Sequence, residues 1–114
     1  MAASPLPELD VEKVRRFCAA QWPEEKFKDQ VRLEVSVRGK RVSVHELRPL
    51  FHGAPGEWTS MPIAQLRYEG DGLWTLYYGD RNSRWQEYFD IAPRQPIDVI
   101  VNELDEDPTC VFWG

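Results

Sequence analysis

The sequence predicts an α+β fold, a two-layer, five-stranded antiparallel β-meander with an N-terminal and a C-terminal helix packed on one face. Three observations lead there. Apolar residues recur at helical spacing near each end of the chain, they alternate with polar residues through the middle, and short Gly- or Asp-containing turns separate the alternating stretches. Sequential strands usually lie side by side, so a meander is the simplest topology, and the two helices can cover one of its faces. A chain of 114 residues with 42% hydrophobic content, five Trp, four Tyr and five Phe can bury one core but not two. Residues 8–114 therefore read as a single α+β domain behind a flexible N-terminal lead-in over residues 1–7.

The first helix is expected from Asp10, whose carboxylate can accept from free N–H groups of the first turn while Leu9 staples onto Val14. Val11, Val14, Cys18 and Trp22 then share one face, and Pro23 ends the helix. Cys18 lies on that apolar stripe and reads as a packed thiol. After a charged connector, Glu24 to Gln30, the period becomes two: Val31, Leu33, Val35 and Val37 alternate with Arg32, Glu34, Ser36 and Arg38. Gly39 occupies the turn into a second strand carrying Val42 and Val44. Continued alternation would turn Glu46 inward with the valines. A bulge near His45 and Glu46, or an ion pair from Arg67 or Arg48, is the expected remedy.

Pro49 to Met61 reads as a long irregular connection, rich in Gly and Pro yet carrying Phe51, His52 and Trp58. A third strand, Ile63 to Glu69, and a fourth, Leu73 to Tyr78, flank Gly70-Asp71-Gly72, which suits a three-residue hairpin loop with a bulge at Gly72. That register puts Ala64, Leu66 and Tyr68 on one face with Trp74, Leu76 and Tyr78. Ile63, Gln65, Arg67, Leu73, Thr75 and Tyr77 fall on the other. Asp80 to Ser83 forms a polar turn into a fifth strand, Arg84 to Phe89, for which both registers stay open because either leaves a polar residue among apolar ones. Pro96 suits the first position of the second helix, with Gln95 as cap, and Ile97, Ile100, Val101 and Leu104 follow the spacing of one buried face. Pro108 closes it. The run Cys110 to Gly114 is apolar enough to dock onto the body of the protein.

Charge and cysteine usage narrow the classes of function. A net charge of −5 disfavours a binder of duplex nucleic acid, which gains affinity by setting Lys and Arg against phosphates. The charge is uneven, with seven basic and three acidic residues from Lys26 to Arg48 against seven acidic and one basic from Glu87 to Asp107. Two complementary surfaces or two solvated faces would both explain this. The N-terminus lacks a basic region followed by an apolar run, no stretch is long and apolar enough to span a membrane, and Cys18 and Cys110 read as reduced thiols. A cytoplasmic protein without a cofactor is expected.

Among catalytic constellations, zinc lacks paired Cys-x-x-Cys or His-x-x-x-His ligands, and a Cys–His hydrolase would have to use cysteines set in apolar contexts. Gly53-Ala54-Pro55-Gly56 lacks the Lys and the strand-to-helix setting of a phosphate loop. What remains is a small non-catalytic binding or interaction module using the open sheet face and the 49–61 loop, with Arg67, Tyr77, Tyr88, His52, Trp58, His45 and Glu46 as candidate contacts, and Trp85 near them. Its partner would be another protein or a second copy of the chain. The alternative is a small enzyme using Glu46 with His45 as general acid and base in a cleft at the sheet edge.

Several motifs carry a family resemblance. Val14-Arg15-Arg16-Phe17-Cys18, Arg48-Pro49, Pro62 to Tyr68, Trp74 to Tyr78, Asp80 to Trp85 and Asp105 to Gly114 together resemble the bacterial family called domain of unknown function 3024. Its most specific marks are the Asp80-Arg81-Asn82 turn and the terminal Pro108-Thr109-x-x-Phe112-Trp113-Gly114. Ser83 and Cys110 stand where the family pattern has Gly. The resemblance implies a small bacterial protein of a kind common in actinobacteria, and it brings no activity and no catalytic residues.

Overall fold

A computed structural model describes residues 6–21, 32–49 and 58–113 of the chain. The lead-in Met1 to Pro5, Trp22 and Pro23, the connector 24–30, Val31 and the loop residues 50–57 with Phe51 and His52 lie outside the described residues. Among the described residues there are two helices, α1 (Glu8–Gln21) and α2 (Ile97–Glu106), and six strands. The strands are β1 (Arg32–Arg38), β2 (Arg41–Pro49), β3 (Trp58–Gly70), β4 (Leu73–Gly79), β5 (Trp85–Glu87) and β6 (Gln95–Pro96). Strands β1 to β5 form an antiparallel meander in chain order, and β6 returns to pair with the first residues of β4. The architecture is the expected α+β one, with a short sixth strand added.

The hairpins follow from their turns. Arg38 faces Arg41 across Gly39-Lys40, and Gly39 takes the positive φ (58°) that a tight II′-like turn requires at its first central residue. Between β3 and β4 the loop is the two residues Asp71-Gly72, both at positive φ, rather than the expected three, because Gly70 pairs with Leu73, and the irregularity falls between Tyr68 and Gly70 instead of at Gly72. Tyr68 pairs with Trp74, Leu66 with Leu76 and Ala64 with Tyr78, which is the expected register. These residues share a face with Val42 and Val44, which pair with Leu66 and Ala64. Val42, Ala64, Leu66 and Trp74 are fully buried there, together with Val14 of α1 and Ile100 of α2. Burying Ile97, Ile100 and Leu104 contributes roughly 1.5–3 kcal/mol each as an upper bound, enough to hold α2 on the sheet.

Three boundaries differ from the expectation. Helix α1 begins two residues before Asp10: the backbone N–H groups of Asp10 and Val11 both donate to the Pro7 carbonyl, so Asp10 is inside the first turn. Its carboxylate instead accepts from the Trp74 indole N–H at 2.9 Å, and Leu9 is 78% exposed, with Leu6 taking a buried place in the core. Pro96 caps α2 from an extended conformation rather than starting it, because its neighbour Gln95 is paired with Trp74. Finally, Trp58 to Met61 belong to β3 and pair with Pro49 to Glu46, so the irregular connection is shorter than 49–61.

Of the two anticipated devices a bulge is present nearby, but it is the Arg48 partner that accommodates the inward Glu46. The register steps from Val44–Ala64 to His45–Pro62, which makes Ile63 the extra residue of a bulge on β3 and leaves the parity of β2 intact. Glu46 therefore stays on the helix side and accepts from Arg48 Nε at 2.5 Å. Strand β5 also resolves its open parity. Trp85 and Glu87 pair with Gly79 and Tyr77, so Gln86 and Tyr88 fall on the helix side, and the Tyr88 N–H donates to the Leu76 carbonyl.

The chain end is docked by Asp107. It adopts the left-handed conformation at the end of α2 (φ 43°), and its two carboxylate oxygens accept from the N–H groups of Phe112 and Trp113. Phe112 is thereby buried against Tyr88, and the Trp113 indole donates to the Leu104 carbonyl at 2.7 Å.

Candidate binding face

The sheet face away from the helices carries the residues at alternate positions to the core. The row Glu34–His45–Pro62 leads through Gly79 to Trp85, the next row is Ser36–Ser43–Gln65–Tyr77–Glu87, and the one beyond it is Arg38–Arg41–Arg67–Thr75. No described helix packs on this face.

Three pairs of a ring with a cation or a second ring are built onto it. The Arg67 guanidinium lies 3.8 Å over the Tyr77 ring, and the Arg32 guanidinium 4.2 Å over Trp58. The imidazole of His45 meets Trp85 edge-on at 5.9 Å, across the side-chain-free position Gly79. Each pair joins residues from different strands or different ends of a strand, so the sheet register itself holds it. Arg67 Nε also donates to Gln65 Oε1 at 2.8 Å, and Gln65 Nε2 donates to Ser43 Oγ at 3.0 Å. Gln65 is 5% exposed, so this polar relay is partly sunk into the sheet. Beside it lies a concavity of about 410 Å³ lined chiefly by Ser36, Arg38, Arg41, Ser43, His45 and Gln65.

The structure brings Arg67, Tyr77, His45 and Trp58 onto this one face. It places two other candidates elsewhere. Tyr88 is buried on the helix side, donating to Glu103 Oε2 at 2.7 Å and sharing a 3.2 Å hydrogen bond with Thr109. Burial against apolar neighbours is the main reason its phenol is pushed up to about 12, while the hydrogen bond with Thr109 pulls the other way. Glu46 faces the helices, because successive residues of an extended strand point to opposite sides. His45 and Glu46 consequently do not converge. His52 lies outside the described residues.

Arg38, Arg41, Ser43 and Gln65 were not singled out by sequence, although a signal was there. Once Gly39-Lys40 is read as a two-residue turn, Arg38 and Arg41 must stand directly opposite one another. The Asp80 turn rests on its own carboxylate, which accepts from the N–H groups of Asn82 and Arg84 and from the Gln86 amide. Those bonds, led by the Arg84 N–H, hold Asp80 below the usual carboxylate range. Ser83 and Cys110, standing at family glycine positions, both have φ near 60°. Among the described residues no helix is long and apolar enough to cross a membrane.

No curated protein and no solved structure matches the chain. The family model described as Domain of unknown function (DUF3024) matches residues 1–114, the whole length that bears the motifs above, and the chain belongs to that family.

Proposed function

We propose that this protein is a non-catalytic binding module whose contact surface is the sheet face away from α1 and α2, and whose partner is another protein. The observation that carries the reading is the set of cross-strand pairs Arg67–Tyr77, Arg32–Trp58 and His45–Trp85 on that face. Arg and aromatic side chains supply most of the energy of protein contacts. Stacking them in advance reduces the conformational entropy lost on binding. The alternative, an acid–base pair of His45 with Glu46, is disfavoured because Glu46 is engaged by Arg48 on the other side of the strand. Glu34, directly opposite His45, forms no hydrogen bond or ion pair with it among the described residues.

The test is affinity capture from a native lysate with three baits: wild type, a variant carrying Arg67→Ala and Tyr77→Ala, and Lys13→Ala on the helix side. A protein recovered by wild type and by Lys13→Ala, and lost from the double variant, supports the reading. Identical recoveries from all three refute it.

A further inference from the structure

The row Arg38–Arg41–Arg67 crosses β1, β2 and β3 with each arginine directly opposite the next. Like charges facing one another across strands destabilise a sheet, so such a row needs compensation from elsewhere. The protein itself supplies little. Arg67 is spread over Tyr77 and bonded to Gln65, while Arg38 and Arg41 have no carboxylate within ion-pairing distance among the described residues. Glu69 accepts from the Thr75 hydroxyl at 2.6 Å, Glu46 is paired with Arg48 on the opposite face, and Glu34 and Glu87, which share this face, form no ion pair with either arginine among the described residues.

A second feature points into the same hollow. Ser43 Oγ accepts from Gln65, which in turn accepts from Arg67, so the Ser43 hydroxyl retains its own proton to donate and sits at the end of a relay that begins on a guanidinium. Ser36 stands directly opposite Ser43 and adds a second hydroxyl. The hollow of about 410 Å³, a space of ligand size, is thus lined by two arginines, Arg38 and Arg41, and two hydroxyl-bearing residues, Ser36 and Ser43.

We infer that this hollow receives a phosphate monoester carried by the partner, a phosphorylated Ser or Thr in a segment lying on the face. The inference rests on the proposed reading of that face and specifies its partner. A phosphate has three acceptor oxygens in a tetrahedral arrangement and a charge of about −1.5 to −2 at pH 7, which matches several donors converging from different strands. A carboxylate is planar and is satisfied by a single guanidinium fork, leaving the second arginine and the hydroxyls without a ligand atom. The source is protein because the three Arg and aromatic pairs extend along the same face on either side of the hollow, a surface far larger than a free ion covers.

The probes are N-acetyl-O-phosphoserine amide, the corresponding aspartate amide and inorganic phosphate, titrated calorimetrically into the full chain at one ionic strength. The phosphoserine amide is expected to bind at least about tenfold more tightly than the aspartate amide, and Arg41→Gln to weaken it by about tenfold or more. Circular dichroism and thermal melting establish that the variant is folded. They also carry a second signature, because Arg41→Gln relieves the repulsion and should melt no lower than wild type while losing the rise in melting temperature that the phosphoserine amide gives wild type. Equal binding of the aspartate amide, or unchanged affinity in Arg41→Gln, overturns the inference. Inorganic phosphate binding more tightly than the phosphoserine amide overturns the protein-borne source. If the amide fails while the Arg67 and Tyr77 double variant still loses a captured protein, this inference alone falls; if the amide binds and capture is unchanged, the reading of the face as a protein-contact surface falls.

Discussion

Replacing Tyr88 by Phe removes one oxygen atom from the most tightly enclosed polar contact among the described residues. Tyr88 is 3% exposed and Glu103 9%, and the phenol donates to the Glu103 carboxyl at 2.7 Å. Among the described residues no other donor reaches that carboxyl, so Tyr88→Phe leaves a buried acceptor without a partner. That costs about 1–3 kcal/mol, and with so little water access we expect about 2 kcal/mol. Glu103→Leu is milder, about 1 kcal/mol, because the phenol keeps Thr109 at 3.2 Å. Removing both groups abolishes the unsatisfied acceptor altogether, so the double variant should lose about 1 kcal/mol less than the sum of the singles. Urea unfolding followed by tryptophan fluorescence reads this directly: at a slope near 1.5 kcal/mol/M, Tyr88→Phe lowers the midpoint by about 1.3 M. The phenol also carries a pH signature. Its native value of about 12 lies above the ordinary phenol value of 10, so the native state holds that proton more firmly. The associated stability is complete below pH 10 and is lost as pH rises through about 12, a loss Tyr88→Phe should lack. A single-variant effect under about 0.5 kcal/mol, or strict additivity in the cycle, would refute the account of this contact.

Four further outcomes follow from the same structure. A Cβ at Gly79 would stand 2.3 Å from the Pro62 carbonyl oxygen, a backbone atom that cannot rotate away, so Gly79→Ala should cost about 2–3 kcal/mol in urea unfolding. Cys110 is exposed at φ 61°, where an L side chain costs about 1–2 kcal/mol and glycine's greater freedom in the unfolded chain returns about 0.4–1. Cys110→Gly should therefore stabilise by about 0.5–1 kcal/mol and raise the melting temperature by about 2–5 °C. Burial pushes the Cys18 thiol up to about 11, so an aromatic disulfide reagent at pH 8 should titrate Cys110 at once and Cys18 only after guanidinium unfolding. Asp80, held below its ordinary value of 3.8 by the Arg84 N–H and Gln86, contributes stability that is present above that pH and lost as pH falls below it; Asp80→Asn should flatten the acid limb of an unfolding profile.

How far the sequence could be read depended on whether a residue's role was local. The β3–β4 register was legible because Gly70-Asp71-Gly72 permits few turn geometries and the apolar alternation on both sides agrees with them. Trp58 to Met61 read as loop in the sequence because Gly and Pro density marks the segment irregular. Their pairing with Pro49 to Glu46 depends on a bulge at Ile63, and no local pattern displays a partner strand. Asp10 looked like a cap because caps are recognised by type, whereas its bond to Trp74 joins residues 64 positions apart. The same holds for Tyr88, whose amphipathic character fits an exposed face or a buried hydroxyl equally well until Glu103 is placed beside it. On the candidate face, Arg67 and Tyr77 were found by strand parity alone. The arginine row needed two pairings at once and was not.

The claim that the hollow on the sheet face opposite the helices receives a phosphate monoester can be tested on the wild-type protein by mapping amide chemical shifts during a titration with N-acetyl-O-phosphoserine amide. The account predicts that the largest changes fall at Ser36, Arg38, Arg41, Ser43 and Gln65, which line the hollow, and at Arg67 behind it. Changes concentrated along Val11 to Cys18 or Ile97 to Leu104, or no saturable change anywhere, would contradict it.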